Sequence, residues 1–190
     1  QALDEGINPK EILDDGLLSG MMVVGDKFKK DEVFVPDVLV AARAMNNGIA
    51  ILEPKLIEMG NESIGKAVVG TVKGDLHDIG KNLITMMLKA AGFDVYDIGV
   101  DAEPEAFIEK AEEVSADIIG ISALLTTTMN NMEDVINLMK EKGVREKYIV
   151  MVGGAPGNEV FAKNIGADYY TEDASSCAEV AKKAVLEKKK

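Results

Sequence analysis

Two periodicities divide this chain. Over residues 1–60 apolar side chains recur at three- and four-residue spacing, as on helices. From Lys66 onward they gather in short β-branched runs separated by amphipathic stretches. Asn8-Pro9 starts the first predicted helix, with Asn8 as N-cap and Pro9 at the first helical position. Its apolar side is Ile12, Leu13, Leu17, Leu18, Met21, Met22, Val24 and Phe28, and it breaks around Lys29-Lys30-Asp31. A second helix starts near Pro36, runs through Val38, Leu39, Ala42, Met45, Ile49, Leu52 and Leu56, and stops at Gly60. Pro54 is expected to kink it or split off its last turn. Two helices cannot bury their apolar faces alone, so they must pack on further helix, on the second segment or on a partner.

The second segment reads as five strands, at 67–72, 94–98, 117–122, 148–152 and 167–170. Helices alternate with them near 78–91, 103–114, 129–142, 157–165 and 173–188. That alternation predicts an α/β fold, a five-stranded parallel doubly wound (flavodoxin-like, Rossmann-type) sheet with right-handed crossovers and strand order 2-1-3-4-5. The polar stretch 60–66, with Gly60, Asn61, Ser63 and Gly65, is the expected linker. The division is then a helical domain over 1–62 and an α/β domain over 63–190. The chain opens without Met inside a helical pattern, so a further helix before Gln1 is also expected.

Composition acts mainly by exclusion. The chain has 33 acidic and 21 basic side chains, a net charge of −12, and neither segment is a basic module, so no nucleic-acid partner is expected. No apolar stretch approaches the ~20 residues that span a bilayer. The N-terminus lacks the features of a signal peptide, and no membrane partner is expected. Cys177 is the lone cysteine, which rules out an internal disulfide and fits a reducing cytoplasm. In its predicted helix it reads as a small buried hydrophobe. The terminal Glu187-Lys188-Lys189-Lys190 reads as a solvated helix end.

The chemistry concentrates at strand ends. His77, the only histidine, lies in Asp75-Leu76-His77-Asp78-Ile79-Gly80 directly after the first strand, and Asp75 can fix the tautomer of its imidazole. The third strand ends in Ser122-Ala123-Leu124-Leu125-Thr126-Thr127-Thr128 and the fourth in Gly153-Gly154-Ala155-Pro156-Gly157. All three loops emerge at the carboxyl edge around the switch point, where ligands of such sheets bind. Gly80, Gly153 and Gly154 have no Cβ and let a large ligand approach the main chain. Each element also has a plain reading: a capping or surface histidine, a polar loop, a glycine turn. No dinucleotide or phosphate-loop fingerprint is present. One imidazole is a poor zinc site, since zinc needs at least three protein ligands. A metal already held by a macrocycle needs only one.

These residues resemble a known family. Asp75-x-His77-x-x-Gly80, Ser122-x-Leu124 and Gly153-Gly154 together look like the cobalamin-binding signature of corrinoid-dependent methyltransferases. The segments Met22-Val23-Val24-Gly25-Asp26-Lys27-Phe28 and Val33-Phe34-Val35-Pro36 are similar to that family's helical-bundle cap. The resemblance covers about residues 10 to 185 and is nearest the small corrinoid proteins of methylamine, methanol and related methyl-transfer systems. It implies a cobalamin or related corrinoid bound base-off and His-on, with His77 the axial ligand of cobalt and Asp75 hydrogen-bonded to His77. Thr128 stands where methionine synthase carries the serine that completes the relay to Asp75. Asp78, Ile79 and Gly80 belong to the same motif. Ser122 and Thr126 match residues on the buried nucleotide tail, Gly153 and Gly154 match its slot, and Phe34 matches a cap side chain shielding the upper face.

What the resemblance implies about function is methyl carriage. A substrate-specific methyltransferase loads the cobalt, and an acceptor methyltransferase unloads it to an acceptor such as tetrahydrofolate or a thiol. A reductive activase is the expected third partner. Release of the methyl group frees His77, which then shares a proton with Asp75 and Thr128. Phe34 is a gate or, in the plain reading, a staple between two helices. Two other readings stand beside it: the cobalamin subunit of an adenosylcobalamin mutase, which shares the histidine motif, and a cobalamin-dependent sensor or regulator, a family that can carry both cap and sheet domain.

Overall fold

Asn8 caps the first helix, its side chain accepting from the Lys10 N–H at 2.8 Å, with Pro9 opening α1 (Pro9–Glu11). The continuation is not the regular α-helix expected. Ile12–Leu18 is a π-helix, and α-geometry resumes only in α2 (Ser19–Lys29). The reason is visible in the spacing. Ile12 to Leu17 and Leu13 to Leu18 are five residues apart, so the wider turn sets both pairs on one side. Leu17 packs where Gly48 has no side chain: a Cβ there would come within 2.8 Å of the leucine Cδ1.

α2 ends at Lys29, and Asp31 adopts a left-handed φ of 56° just beyond it. α3 (Val35–Glu58) starts where Asp37 accepts the backbone N–H of Phe34 at 2.9 Å, the reciprocal half of a capping box. Helix α3 runs through Pro54, which splits off no turn. Met21, Val38, Ala42 and Met45 are buried, as their periodicity requires.

The computed structural model describes residues 1–58 and 63–189, which fall into two units, Gln1–Ser63 and Ile64–Lys190. The predicted helix stop at Gly60, the linker residue Asn61 and the domain boundary after residue 62 lie outside the described residues. Gly65 is not linker. It opens β1 (Gly65–Thr71), because a Cβ there would meet the Asp117 carboxylate that accepts the Lys66 N–H at 2.8 Å.

The second unit is a parallel sheet in the order β2-β1-β3-β4-β5, the flavodoxin-like order expected. β1 is followed by α4 (Ile79–Ala90), β2 (Phe93–Asp97), α5 (Pro104–Val114), β3 (Ile118–Ser122) and α6 (Asn131–Glu141). The chain closes with β4 (Ile149–Gly153), α7 (Glu159–Ile165), β5 (Tyr169–Thr171) and α8 (Ala174–Lys188). Strand parity sorts the two faces. Val68, Ile119, Ile121, Val150 and Val152 enter the main core with Phe107, Ile108, Met132, Ile136 and Met139 of α5 and α6. The alternate positions face α4 and α8. Register lines these up in two rows, Val69–Gly120–Met151 and Thr71–Ser122–Gly153–Thr171. The terminal lysines are more than a solvated end, since Lys188 and Lys189 Nζ donate to the carbonyls of Lys147 and Ile64 at 2.7 and 2.8 Å.

Candidate functional site

Asp75, fully buried at the end of β1, organises the carboxyl edge. Its Oδ1 accepts from the His77 backbone N–H at 3.0 Å and lies 2.7 Å from His77 Nδ1. Its Oδ2 accepts from the Leu124 N–H at 2.8 Å, the Leu125 N–H at 3.3 Å and the Thr128 hydroxyl at 2.7 Å. Burial pushes this carboxyl up, but the hydrogen bonds from Thr128, Leu124 and His77 outweigh it and hold the group well below the ordinary carboxylate range. An ionised Asp75 can only accept, so His77 carries a proton on Nδ1, and Nε2 is the ring nitrogen left for a ligand. The imidazole is half exposed, and its backbone carbonyl accepts the hydroxyl of buried Thr71 at 3.0 Å.

Around it the loops after β1 and β3 bring apolar side chains to the surface: Leu76, Ile79, Leu124 and Leu125 are all exposed. Asp78 is the N-cap residue of α4, and its side chain accepts from Asn82 at 3.2 Å. Thr126 is exposed on the loop after β3. Phe34 lies in the other unit and is 66% exposed, which excludes the staple reading within the helices.

Below the edge, a narrow slot separates the sheet from α4 and α8. Its floor is Val69, Gly120, Ser122, Met151, Gly153 and Thr171, with Ile84 of α4 and Cys177 of α8 opposite. Small residues on the central strands create it: a Cβ on Gly153 would stand 3.4 Å from the Thr171 carbonyl, inside this space. Gly154 has a different reason to be glycine. Its φ is +126°, and a Cβ there would lie 1.8 Å from the Ala123 carbonyl oxygen, so the close approach is to the protein's own β3 end. Gly80 has nothing within 4 Å of where its Cβ would be.

Several residues here were missed in the sequence. Gly120, Thr171 and Cys177 line the slot, and a signal for the first existed: Gly120, Ser122 and Gly153 are small at matching parity on adjacent strands. Burial pushes the Cys177 thiol up to about 11, so it is protonated at neutral pH and packs as the hydrophobe expected. Lys81 also escaped notice. It is buried in α4, ion-paired with Asp97 at the end of β2, and donates to Asn82 Oδ1 at 2.7 Å.

One free imidazole nitrogen above an apolar slot, on the switch-point edge of a 2-1-3-4-5 sheet, defines a corrinoid-binding α/β protein. Comparison bears this out. Residues 65–181 match a B12 binding domain family, and residues 1–53 match a second B12 binding domain family. The chain is 48% identical to a corrinoid protein of Desulfitobacterium hafniense over 186 residues, 96% of this chain and 86% of that protein. It is 49% identical to dimethylamine corrinoid protein 2 of Methanosarcina acetivorans, over 97% of this chain and 86% of that one. The methanol:cobalamin methyltransferase complex of Methanosarcina barkeri superposes with a TM-score of 0.84 at 30% identity, covering 97% of this chain and 70% of its own. The chain belongs to the family of small cobalamin-binding corrinoid proteins of methyltransferase systems, and its cofactor is cobalamin or a related corrinoid.

The residues present fit that cofactor. Among the described residues no group of three or more His, Cys, Asp or Glu could hold a bare metal ion. A metal that arrives held by its own macrocycle would ask for one protein donor, and His77 could supply it through Nε2. No described helix is long and apolar enough to cross a membrane.

Proposed function

We propose that this corrinoid protein carries methyl groups with His77 Nε2 as the protein ligand of cobalt and the slot beside Gly153 as the seat of the nucleotide tail. The observation that carries the reading is the 2.7 Å contact between His77 Nδ1 and a buried, ionised Asp75, which engages Nδ1 and leaves Nε2 of the half-exposed ring available to a ligand. A bound corrinoid would supply a metal centre able to hold a methyl group between two methyltransferases. The chain's own residues set the ligand. Asp75 orients the ring, and Leu124, Leu125 and Thr128 fix Asp75. When Nε2 lets go, a proton can be held there, with its charge stabilised by Asp75 and the Thr128 hydroxyl at one remove.

Ser122 and Thr126 are read as tail contacts, Gly80 as clearance beside the ring, and Phe34 as the gate of the helical domain over 1–62. The α/β domain over 63–190 is then the cobalamin-binding unit. Partners are methyltransferases. In finer detail we infer a donor-specific enzyme for a methylated amine, in keeping with the dimethylamine relative, an acceptor enzyme and a reductive activase, all in the cytoplasm. The mutase-subunit and sensor readings are not favoured, because the relatives named above are methyl-transfer corrinoid proteins.

The decisive experiment uses the solitude of His77. The apoprotein is reconstituted with cobalamin, reduced to cobalt(II), and examined by electron paramagnetic resonance. Labelling the protein with ¹⁵N-histidine should turn the axial nitrogen splitting from triplets to doublets, and His77→Ala should abolish the labelled component. A splitting indifferent to the label would show that the axial nitrogen is not His77.

A further inference from the structure

The loop between β2 and α5 carries no residue singled out above, yet it holds a backbone anomaly. Among the described residues three non-glycines have positive φ: Asp31, Asp101 and Ser115. Asp31 follows the C-cap of α2 and Ser115 is the C-cap of α5, so helix termination accounts for both. Asp101, with φ 53°, closes no helix. A left-handed aspartate costs free energy, and such conformations persist where surrounding contacts demand them.

The contacts lead to the histidine loop. The Asp101 N–H donates to the Asp75 carbonyl at 3.0 Å, and Asp101 Oδ1 accepts from the Gly74 N–H at 2.7 Å. Gly74 itself has φ +78°. On the same side Thr71 N–H donates to the Gly99 carbonyl and Ala102 N–H to the Thr71 carbonyl, both at 3.0 Å. The 99–102 segment therefore runs beside 71–75, continuing the β1–β2 pairing to the Val72–Ala102 bridge, with Asp101 bonded out of that register to Gly74 and Asp75. Asp101 holds the Gly74 N–H on one side of Asp75 and the Asp75 carbonyl on the other, while the Asp75 N–H donates to the Val72 carbonyl at 3.1 Å. Thr128 and Leu124 grip the carboxylate from the opposite loop. The base of Asp75 and its tip are thus held by different loops.

We propose that Asp101 is a positioning residue for the Asp75–His77 pair: it fixes the backbone from which the Asp75 carboxylate reaches His77 Nδ1, and so sets the tautomer that presents Nε2. The inference rests on the reading of His77 as the metal's protein ligand. Asp101 touches neither the imidazole nor the slot, and its effect passes through Gly74 and Asp75.

Three variants separate its two contributions. Asp101→Asn keeps an acceptor oxygen and tolerates positive φ. Asp101→Gly keeps the backbone conformation but removes the acceptor for Gly74, and Asp101→Ala loses both. The first readout is the ¹⁵N spectrum of the single histidine in the apoprotein, recorded at one fixed pH for every variant. The Nδ1–H to Nε2–H ratio should match wild type in Asp101→Asn. It should fall about threefold or more in Asp101→Gly, the factor that accompanies one net hydrogen bond.

The second readout, in cobalamin-loaded protein, is the fraction of cobalt(II) showing histidine nitrogen splitting. It should fall in Asp101→Gly while bound cobalamin stays stoichiometric. An unchanged tautomer ratio in Asp101→Gly overturns the proposal. If wild type itself shows no histidine splitting, the ligand reading fails, and the apoprotein ratio still decides the role of Asp101. Should Asp101→Gly not fold, amide exchange of Gly74 in wild type decides. Protection supports the clamp, and exchange at the rate of an open loop overturns it.

Discussion

Replacing Thr128 with valine removes one hydroxyl and almost no volume, so it isolates the bond that ties the β3–α6 loop to Asp75. The donor is buried, the acceptor is a fully buried carboxylate, and the contact is 2.7 Å. The hydroxyl has a single proton and an alternative acceptor in the Leu125 carbonyl at 3.1 Å, but the shorter, charged contact prevails. A hydrogen bond to a charged group is worth about 1.5–3 kcal/mol net. Asp75 Oδ2 keeps the Leu124 and Leu125 amides, so the carboxylate is not orphaned and the loss should lie near the lower end, about 1.5–2 kcal/mol at pH 7. Thr128→Ser, which restores the hydroxyl, should recover most of it.

Urea unfolding of the apoprotein is the assay, and the sequence supplies a clean probe. There is no tryptophan, and all four tyrosines, Tyr96, Tyr148, Tyr169 and Tyr170, lie in the α/β unit. Tyrosine fluorescence therefore follows that unit alone, whatever the helical unit does. If Thr128→Val loses less than about 0.5 kcal/mol, within the usual range for surface substitutions, the claim that this hydroxyl anchors Asp75 is wrong.

Asp75→Asn tests the charge. A carboxyl held below its ordinary value near 3.8 contributes stability that is complete above that value and lost as pH falls below it. The wild-type advantage over Asp75→Asn should thus be present in full above about pH 4 and shrink below it when urea midpoints are compared. A gap that declines steadily between pH 7 and 5 would contradict the assignment. The glycines give a paired test. Gly154→Ala puts a Cβ 1.8 Å from the Ala123 oxygen and should cost about 3 kcal/mol or more, or prevent folding. Gly80→Ala meets nothing within 4 Å and should stabilise the apoprotein by about 0.5–1 kcal/mol while weakening cobalamin binding by titration. If cobalamin binding is unaffected, Gly80 serves only the helix.

The strand order and most element limits were legible because β-branched runs and amphipathic stretches alternate without interruption after Lys66. The Asp75–His77–Thr128 grouping could be named from its motif, since strand ends of one sheet converge whatever the details of packing. Three features could not be read. The π-helix over Ile12–Leu18 depends on five-residue spacings that overlap with three- and four-residue ones. Cys177 and Thr171 reach the slot from the last strand and helix, whose placement is fixed only by tertiary pairing. Asp101 betrays its positive φ by nothing in its local sequence, because aspartate is common in ordinary turns as well.

The buried Asp75 has one further consequence. Among the described residues no lysine or arginine pairs with it, and its only titratable partner is His77. Its negative charge is balanced chiefly by dipoles: the backbone amides of His77, Leu124 and Leu125 and the Thr128 hydroxyl. Those dipoles do not come and go with pH or with ligation. The carboxylate therefore does not depend on a cationic imidazole to remain ionised. The ring sits beside a permanent anion of constant strength, and can change its own charge state without the scaffold beneath it having to rearrange.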